Sequence, residues 1–280
     1  MAKKNLREQP QVHTAESETP VGQVESGVQQ VVKEAEREVE RSRVPWYRSS
    51  KRAYFLIGFY AVLTVLFSLL AWFVHVHPVL PVDVTITKEF QESQAPWLRY
   101  SMAAISYLGY TPILFIGIIA LTAIIFWFVN LRLEALLVVA VSAASELLNG
   151  GIKILVARPR PSARLVDVLS HASGLSFPSG HVMSYVAYFG LLFSLGIILL
   201  KRDRWWHYLI LIIPALFVIL VGPSRIYLGD HWATDVLGAY LIGGILLGVS
   251  LWIYLKLREK GVLAPKERRG IGRMREHGGS

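Results

Sequence analysis

The stretch SRIYLGDHWATD, Ser224 to Asp235, places one Arg, one His and two Asp within a dozen residues directly after a long apolar run. His231 and Asp235 are four apart at the expected start of a helix, a spacing that lets the two side chains meet on one face. A carboxylate that holds one imidazole N–H fixes the tautomer and leaves the other nitrogen free to attack an electrophile. His231 therefore reads as a nucleophile and Asp235 as its support. Two further segments carry matching groups: KILVARPRP, Lys153 to Pro161, and FPSGH, Phe177 to His181. Lys153, Arg160 and Arg225 supply three fixed cations, and an arginine fork suits two phosphate oxygens at once. The Pro178-Ser179-Gly180 turn at a helix start offers backbone N–H groups and a hydroxyl, and glycine lets the chain approach an anion closely. His181, on a separate helix, suits protonation of a leaving oxygen and later activation of water. Ser179 lacks the strand context of a nucleophile elbow, so a phosphate contact is its expected role. Two histidines and a carboxylate could hold a metal, but three clustered cations repel a divalent ion and attract a phosphate. The expectation is a phosphate site with no metal and no cofactor.

The elements that must position these groups are apolar helices. Of 280 residues, 53% are apolar and only 18% charged, a balance that points to a bilayer protein. Ala53–Val74 and Ser101–Val129 carry no charge over 22 and 29 residues, each enough to cross a hydrocarbon core of about 30 Å as helix. Ala135–Ile152, Val182–Leu200, Trp205–Ser224 and Val236–Leu255 complete a set of six expected spans. None alternates polar and apolar residues as a barrel strand would, so the fold class is an all-α integral membrane bundle of six transmembrane helices. Residues 1–52 read as a largely disordered polar tail, within which Val21, Val24, Val28, Val31 and Ala35 have the spacing of a short amphipathic helix. This tail lacks the pattern of a cleaved signal peptide, so the first span reads as an uncleaved anchor. Residues 53–255 form the membrane domain and 256–280 a basic tail. There is no cysteine, which excludes disulfides and thiolate chemistry.

Six spans put both termini on one side. That side collects 17 Lys and Arg residues in its tails and loops against 7 on the other, which makes the termini cytoplasmic. By the alternation of spans, the three polar segments then share the extracytoplasmic face. The net charge of +9 is thus chiefly a topology signal with some attraction to anionic membrane lipids, and nothing in it suggests nucleic acid.

At these residues the sequence resembles the type 2 phosphatidic acid phosphatase (lipid phosphate phosphatase) superfamily. That family's pattern is Lys, six residues and Arg-Pro; Pro-Ser-Gly-His; and Ser-Arg, five residues, His, three residues and Asp. KILVARPRP, PSGH and SRIYLGDHWATD match it without departure in residue or spacing. The resemblance implies phosphate binding by Lys153, Arg160, Ser179, Gly180 and Arg225, acid–base work by His181, and a nucleophilic His231 supported by Asp235. The implied activity is removal of a terminal phosphate from a lipid phosphate or diphosphate through a phosphohistidine. Candidate substrates are undecaprenyl diphosphate, phosphatidylglycerophosphate and phosphatidic acid. A lipid phosphotransferase and a non-catalytic lipid-phosphate carrier are the competing readings.

Outside these motifs the expected roles are plainer. Arg158 and Arg164 read as loop cations that are solvated or bound to head groups. Glu146 and Asn149 share a helix face with Lys153, which suits either a polar contact near the site or a structural one. Asp230 reads as a capping or exposed loop acid, because the position next to His231 does not share its face. His75, His77 and His171 have no partner pattern, and Trp46, Trp97, Trp205 and Trp206 read as interface anchors.

Overall fold

A computed structural model describes residues 50–170, 172–200 and 205–263. The expected amphipathic helix in the N-terminal tail, Trp46, His171, the basic turn Lys201–Arg204 and the C-terminal tail beyond residue 263 lie outside the described residues. The chain divides into two compact units, 1–59 and 60–280. Only the start of one helix is described in the first, so the architecture below is that of the second.

Every described element is a helix, and prolines begin three of them. Helix α1 spans Ser50–Val76. Helices α2 (Pro81–Phe90), α3 (Pro96–Tyr110) and α4 (Pro112–Phe128) each have proline in their first turn, where its missing N–H costs nothing and its fixed φ fits. Pro112 also forces a break. Thr111, before it, is pushed out of the helical region to φ −110°, ψ 86°, and α3 and α4 meet at a bend of 72°. The uncharged run from Ser101 to Val129, expected as one straight span, is therefore two helices with a hinge at Thr111.

Helix α5 (Arg132–Val156) follows and ends in left-handed Ala157, whose N–H closes onto Lys153 O. After a long loop, α6 (Gly180–Tyr185) continues through one π-helical turn, Val186–Gly190, into α7 (Leu191–Leu199). Helices α8 (Trp205–Tyr227) and α9 (Ala233–Glu259) complete the chain. Five stretches are long and apolar enough to cross a membrane, and the bent pair α3–α4 makes a sixth if it counts as one span. The protein is thus an all-helical, multi-pass membrane protein.

Two packing regions hold the second unit. In the larger, Phe115, Tyr185, Tyr188, Phe189 and Phe217 interlock, with Phe189 stacked on Phe217 at 4.6 Å. In the smaller, Phe67 of α1 stacks on Phe177 of the long loop at 5.8 Å. The outward faces are as apolar as the core: Ile113, Leu147 and Leu155 are more than three-quarters exposed, which suits hydrocarbon and not water. Trp97, Trp205 and Trp206 are likewise exposed, as interface anchors should be. Some polar groups inside are paired between helices, as in Ser106 with Ser224 at 2.7 Å and Tyr254 donating to Glu134 at 2.7 Å.

Candidate active site

The end of α5, the start of α6, the end of α8 and the start of α9 converge, and each delivers one part of the expected constellation. Asp235 occupies the first turn of α9, where its Oδ2 accepts the Trp232 N–H at 2.9 Å and so caps the helix. His231 lies before that helix, not on it. The shared helix face expected for the pair is therefore absent, yet the turn through Trp232 still brings Nδ1 to 3.6 Å from Asp235 Oδ2. Ser176 bridges the two, donating to Asp235 Oδ2 at 2.5 Å with its Oγ 3.4 Å from His231 Nδ1. On the other side of the ring, Arg160 Nη1 stands 3.1 Å from Nε2. Guanidinium nitrogens only donate, so Nε2 is the acceptor and the imidazole proton resides on Nδ1. Burial, followed by the charges of Arg160, Arg225 and Lys153, holds the His231 pKa well below that of an ordinary imidazole. The ring is neutral, with its free lone pair on Nε2.

All three cations lie within electrostatic reach of His231. Lys153 Nζ is tied to Leu175 O at 2.7 Å and Ser176 O at 3.3 Å. Arg160 is held by Ser173 O, Gly174 O and Asp230 O at 2.8–3.2 Å. Arg225 is fully buried under the face of Tyr110, 4.6 Å from the ring centre. His181 lies within electrostatic reach of Arg225, His231, Arg160 and Lys153 and packs edge-on against Tyr110 at 5.0 Å. Gly180 stands against Asn149, whose Oδ1 would be 3.2 Å from a Cβ there. All eight expected site residues thus lie together.

Several buried atoms here have no hydrogen-bond partner among the described residues: Ser179 Oγ, His181 Nε2, and Nε, Nη1 and Nη2 of Arg225. The Arg225 ion pair with Asp230, at 2.7 Å, lies outside hydrogen-bond geometry, so the two observations agree. Buried polar atoms are nearly always satisfied in folded proteins, and a ligand with several oxygens would supply partners for these. The Ser179 N–H, expected to be free, is instead taken by Asp235 O at 3.2 Å.

Two sequence expectations change. Arg158 is neither solvated nor at the lipid surface. It is completely buried, donating to Asp235 Oδ1 at 2.6 Å, Asp83 Oδ2 at 2.7 Å, Thr234 Oγ1 at 2.7 Å and Pro78 O at 2.8 Å. Asp230 is no exposed loop acid. It is buried, pairs with Arg225, and accepts hydrogen bonds from Tyr110 and Ser170. Glu146 makes a polar contact near the site, one of its two expected roles: it accepts from Ser184 Oγ at 2.5 Å on the wall of a cavity that also includes His181. Arg164 is exposed as expected. His75 bonds to Val156 O at 2.9 Å and His77 stacks on Phe73, both outside the site.

Asp83, Gly109, Tyr110, Ser170 and Ser176 carry no motif that marks them. Asp83 alone left a trace, as the one acid in the otherwise apolar and hydroxylic run VLPVDVTIT.

Comparison with known proteins agrees with this geometry. The model of the PAP2 superfamily matches residues 134–259. Phosphatidylglycerophosphatase B of Bacillus subtilis is 34% identical over 184 residues, covering 66% of this chain and 89% of that protein. The undecaprenyl-diphosphatase BcrC of Bacillus subtilis is 31% identical over 107 residues, 38% of this chain and about half (49%) of that protein. Among solved structures, a transmembrane PAP2-type phosphatidylglycerolphosphate phosphatase from Bacillus subtilis superposes with a TM-score of 0.58 at 30% identity, covering 71% of this chain and 96% of that one.

Proposed function

The chain belongs to the PAP2 superfamily and is a lipid phosphatase, and on that premise we propose that it works through a covalent phosphohistidine on His231. The observation that supports this reading is the His231 ring itself: its Nδ1 side faces Asp235 and Ser176, and its Nε2 faces Arg160, with Arg225 and Lys153 within electrostatic reach.

The terminal phosphate of a lipid phosphate binds among Lys153, Arg160, Ser179, Gly180 and Arg225. Arg160 and the orphaned donors of Arg225 and Ser179 take its oxygens. His231 Nε2 attacks phosphorus and the bond to the lipid oxygen breaks, while that oxygen takes a proton from His181 Nε2. In the second half, His181 Nε2 accepts a proton from water, the water oxygen bonds to phosphorus, and the N–P bond breaks to release inorganic phosphate. Asp235 holds the Nδ1 proton throughout and offsets the charge that develops on the ring. A site whose fixed charges are cationic serves this chemistry without a metal ion.

The six-span topology follows if α3 and α4 count as one bent span. The basic tails then lie in the cytoplasm and the site opens at the extracytoplasmic face, where the lipid head group meets water. Phosphatidylglycerophosphate, phosphatidic acid and undecaprenyl diphosphate are the candidate substrates, since they share a terminal phosphate on a membrane-held tail.

His231→Ala should lower lipid-phosphate hydrolysis by at least about 10³-fold while the protein still inserts and purifies as a folded species. Acid-labile labelling of the wild type by a radiolabelled substrate, absent from the variant, should accompany it. Full activity in His231→Ala would remove the mechanism, and activity lost to EDTA and restored by Mg²⁺ would remove its metal-free form.

A further inference from the structure

A cavity of about 430 Å³ opens between the α3–α4 hinge, α5 and α6, and His181 is part of its wall. The phosphate-binding cations are not. Lys153, Arg160 and Arg225 lie off that wall, and among its described lining residues Glu146 is the only Asp, Glu, Lys or Arg. The wall changes character along its length. Ser184 follows His181 by three residues and bonds Glu146, whereas Val139 precedes Glu146 by seven residues, about 10 Å along a helix, and Ile116 and Ile119 line the cavity from α4. Polar at the catalytic end and apolar deeper, the cavity has the polarity of a lipid whose head group meets His181. Ser142 Oγ has no hydrogen-bond partner among the described residues, and among them the Glu146 carboxylate accepts from Ser184 Oγ. A carboxylate has room for more donors than that.

His181 is the group that hands its proton to the leaving oxygen, so whatever leaves must lie on this side of the phosphate. This step rests on the mechanism proposed above. We propose that Glu146, positioned by Ser184, is a specificity-determining residue that reads the leaving group. It accepts a hydrogen bond from a leaving group that bears a hydroxyl next to the scissile ester, and it repels one that bears a second phosphate there. The enzyme is accordingly built for monoesters of hydroxylated lipids over prenyl diphosphates. A carboxylate and a phosphate facing each other across the cavity repel, and that repulsion sets the direction of the discrimination.

Two substrate pairs isolate the effect. Farnesyl phosphate and farnesyl diphosphate share a tail and differ in leaving-group charge, and lysophosphatidate and its 2-deoxy analogue differ only in the hydroxyl. In Glu146→Gln, the ratio of kcat/KM for farnesyl diphosphate over farnesyl phosphate should rise roughly tenfold or more, because the repulsion is gone and the shape is kept. The preference for lysophosphatidate over its deoxy analogue should shrink, since an amide accepts more weakly than a carboxylate. Glu146→Asp should retain the wild-type order. A merely structural role for Glu146 would lower all four rates together and leave both ratios unmoved, and that result overturns the proposal. If Glu146→Gln does not accumulate, Glu146→Ala answers the charge question with the same ratio. A wild type inactive on all four lipids would instead sink the underlying phosphatase mechanism, so the two failures are distinguishable.

Discussion

Asp83 touches none of the groups expected to contact phosphate, yet its removal should be among the most damaging single changes in the protein. Its Oδ1 accepts the Thr234 N–H at 2.9 Å, and its Oδ2 accepts from Arg158 Nη2 and Thr234 Oγ1, both at 2.7 Å. Both carboxylate and guanidinium are fully buried. Asp83→Ala would leave one arm of a buried guanidinium and two groups of Thr234 without partners, and breaking one side of a buried pair costs about 3–5 kcal/mol. For a domain of this size that corresponds to a fall of roughly 6–20 °C in unfolding temperature. The effect should also reach catalysis. Arg158 holds Asp235 Oδ1 at 2.6 Å, and Asp235 in turn orients His231. An Arg158 released from Asp83 lets the Asp235 carboxylate shift, so kcat should fall by about tenfold or more with KM little changed, because the phosphate contacts are intact. The measurement is thermal unfolding in detergent, followed through tryptophan fluorescence, beside steady-state kinetics on a lipid phosphate. A double-mutant cycle with Arg158→Met isolates the coupling, which should be about 0.5–3 kcal/mol for groups in one network. An Asp83→Ala protein within about 1 kcal/mol of wild type would show that the buried network is not what anchors the start of α9.

Two further perturbations test the neighbouring histidines. A Cβ at Gly109 would come within 2.1 Å of His181 Cδ2, so Gly109→Ala must displace the ring, and kcat should drop roughly 10²-fold, the usual worth of a positioned acid–base group, while a kcat within threefold of wild type would refute the assignment. Because burial and three cations depress the His231 pKa, the folded protein leaves this ring neutral where the unfolded chain, with a pKa of about 6.5, takes up a proton. The unfolded state then binds more protons, so His231 makes stability fall as pH drops below about 6.5. His231→Gln should flatten that acid-side loss, and ¹⁵N-histidine spectra should show the ring still neutral at about pH 5.5; a midpoint near 6.5 would contradict the depressed pKa.

The sequence made the reacting groups legible and left their supports hidden, for a physical reason. Phosphate chemistry restricts residue type tightly, so Lys153, Arg160, Ser179, His181, Arg225, His231 and Asp235 stand out by type and spacing alone. Supports act through tertiary contact, and many residue types can serve. Ser176 hydrogen-bonds Asp235 from a loop, and any hydroxyl at that point would have done the same. The spans were legible from the absence of charge, but the hinge at Thr111 was not, because an uncharged run gives length without direction. Pro112 was the available signal, since it excludes helical backbone from the residue before it.

The two misread residues, Arg158 and Asp230, share a cause that bears on how the site is built. Both were weighed as loop charges by their neighbours in sequence, where a charge next to a bilayer is most simply solvated. A membrane active site reverses that default. Three cations that must stay close together without a ligand need counter-charge, and water at the end of a helix bundle supplies little of it. Asp230 pairs with Arg225, and its backbone carbonyl holds Arg160. Arg158 performs the converse service, joining Asp83 to Asp235 so that the carboxylate behind His231 has a cationic partner although fully buried. Arg225 and the carboxylate behind His231 are thus each balanced by a residue of opposite sign, and backbone carbonyls hold Lys153 and Arg160. In the proposed mechanism a phosphate enters among these pre-positioned cations beside His231.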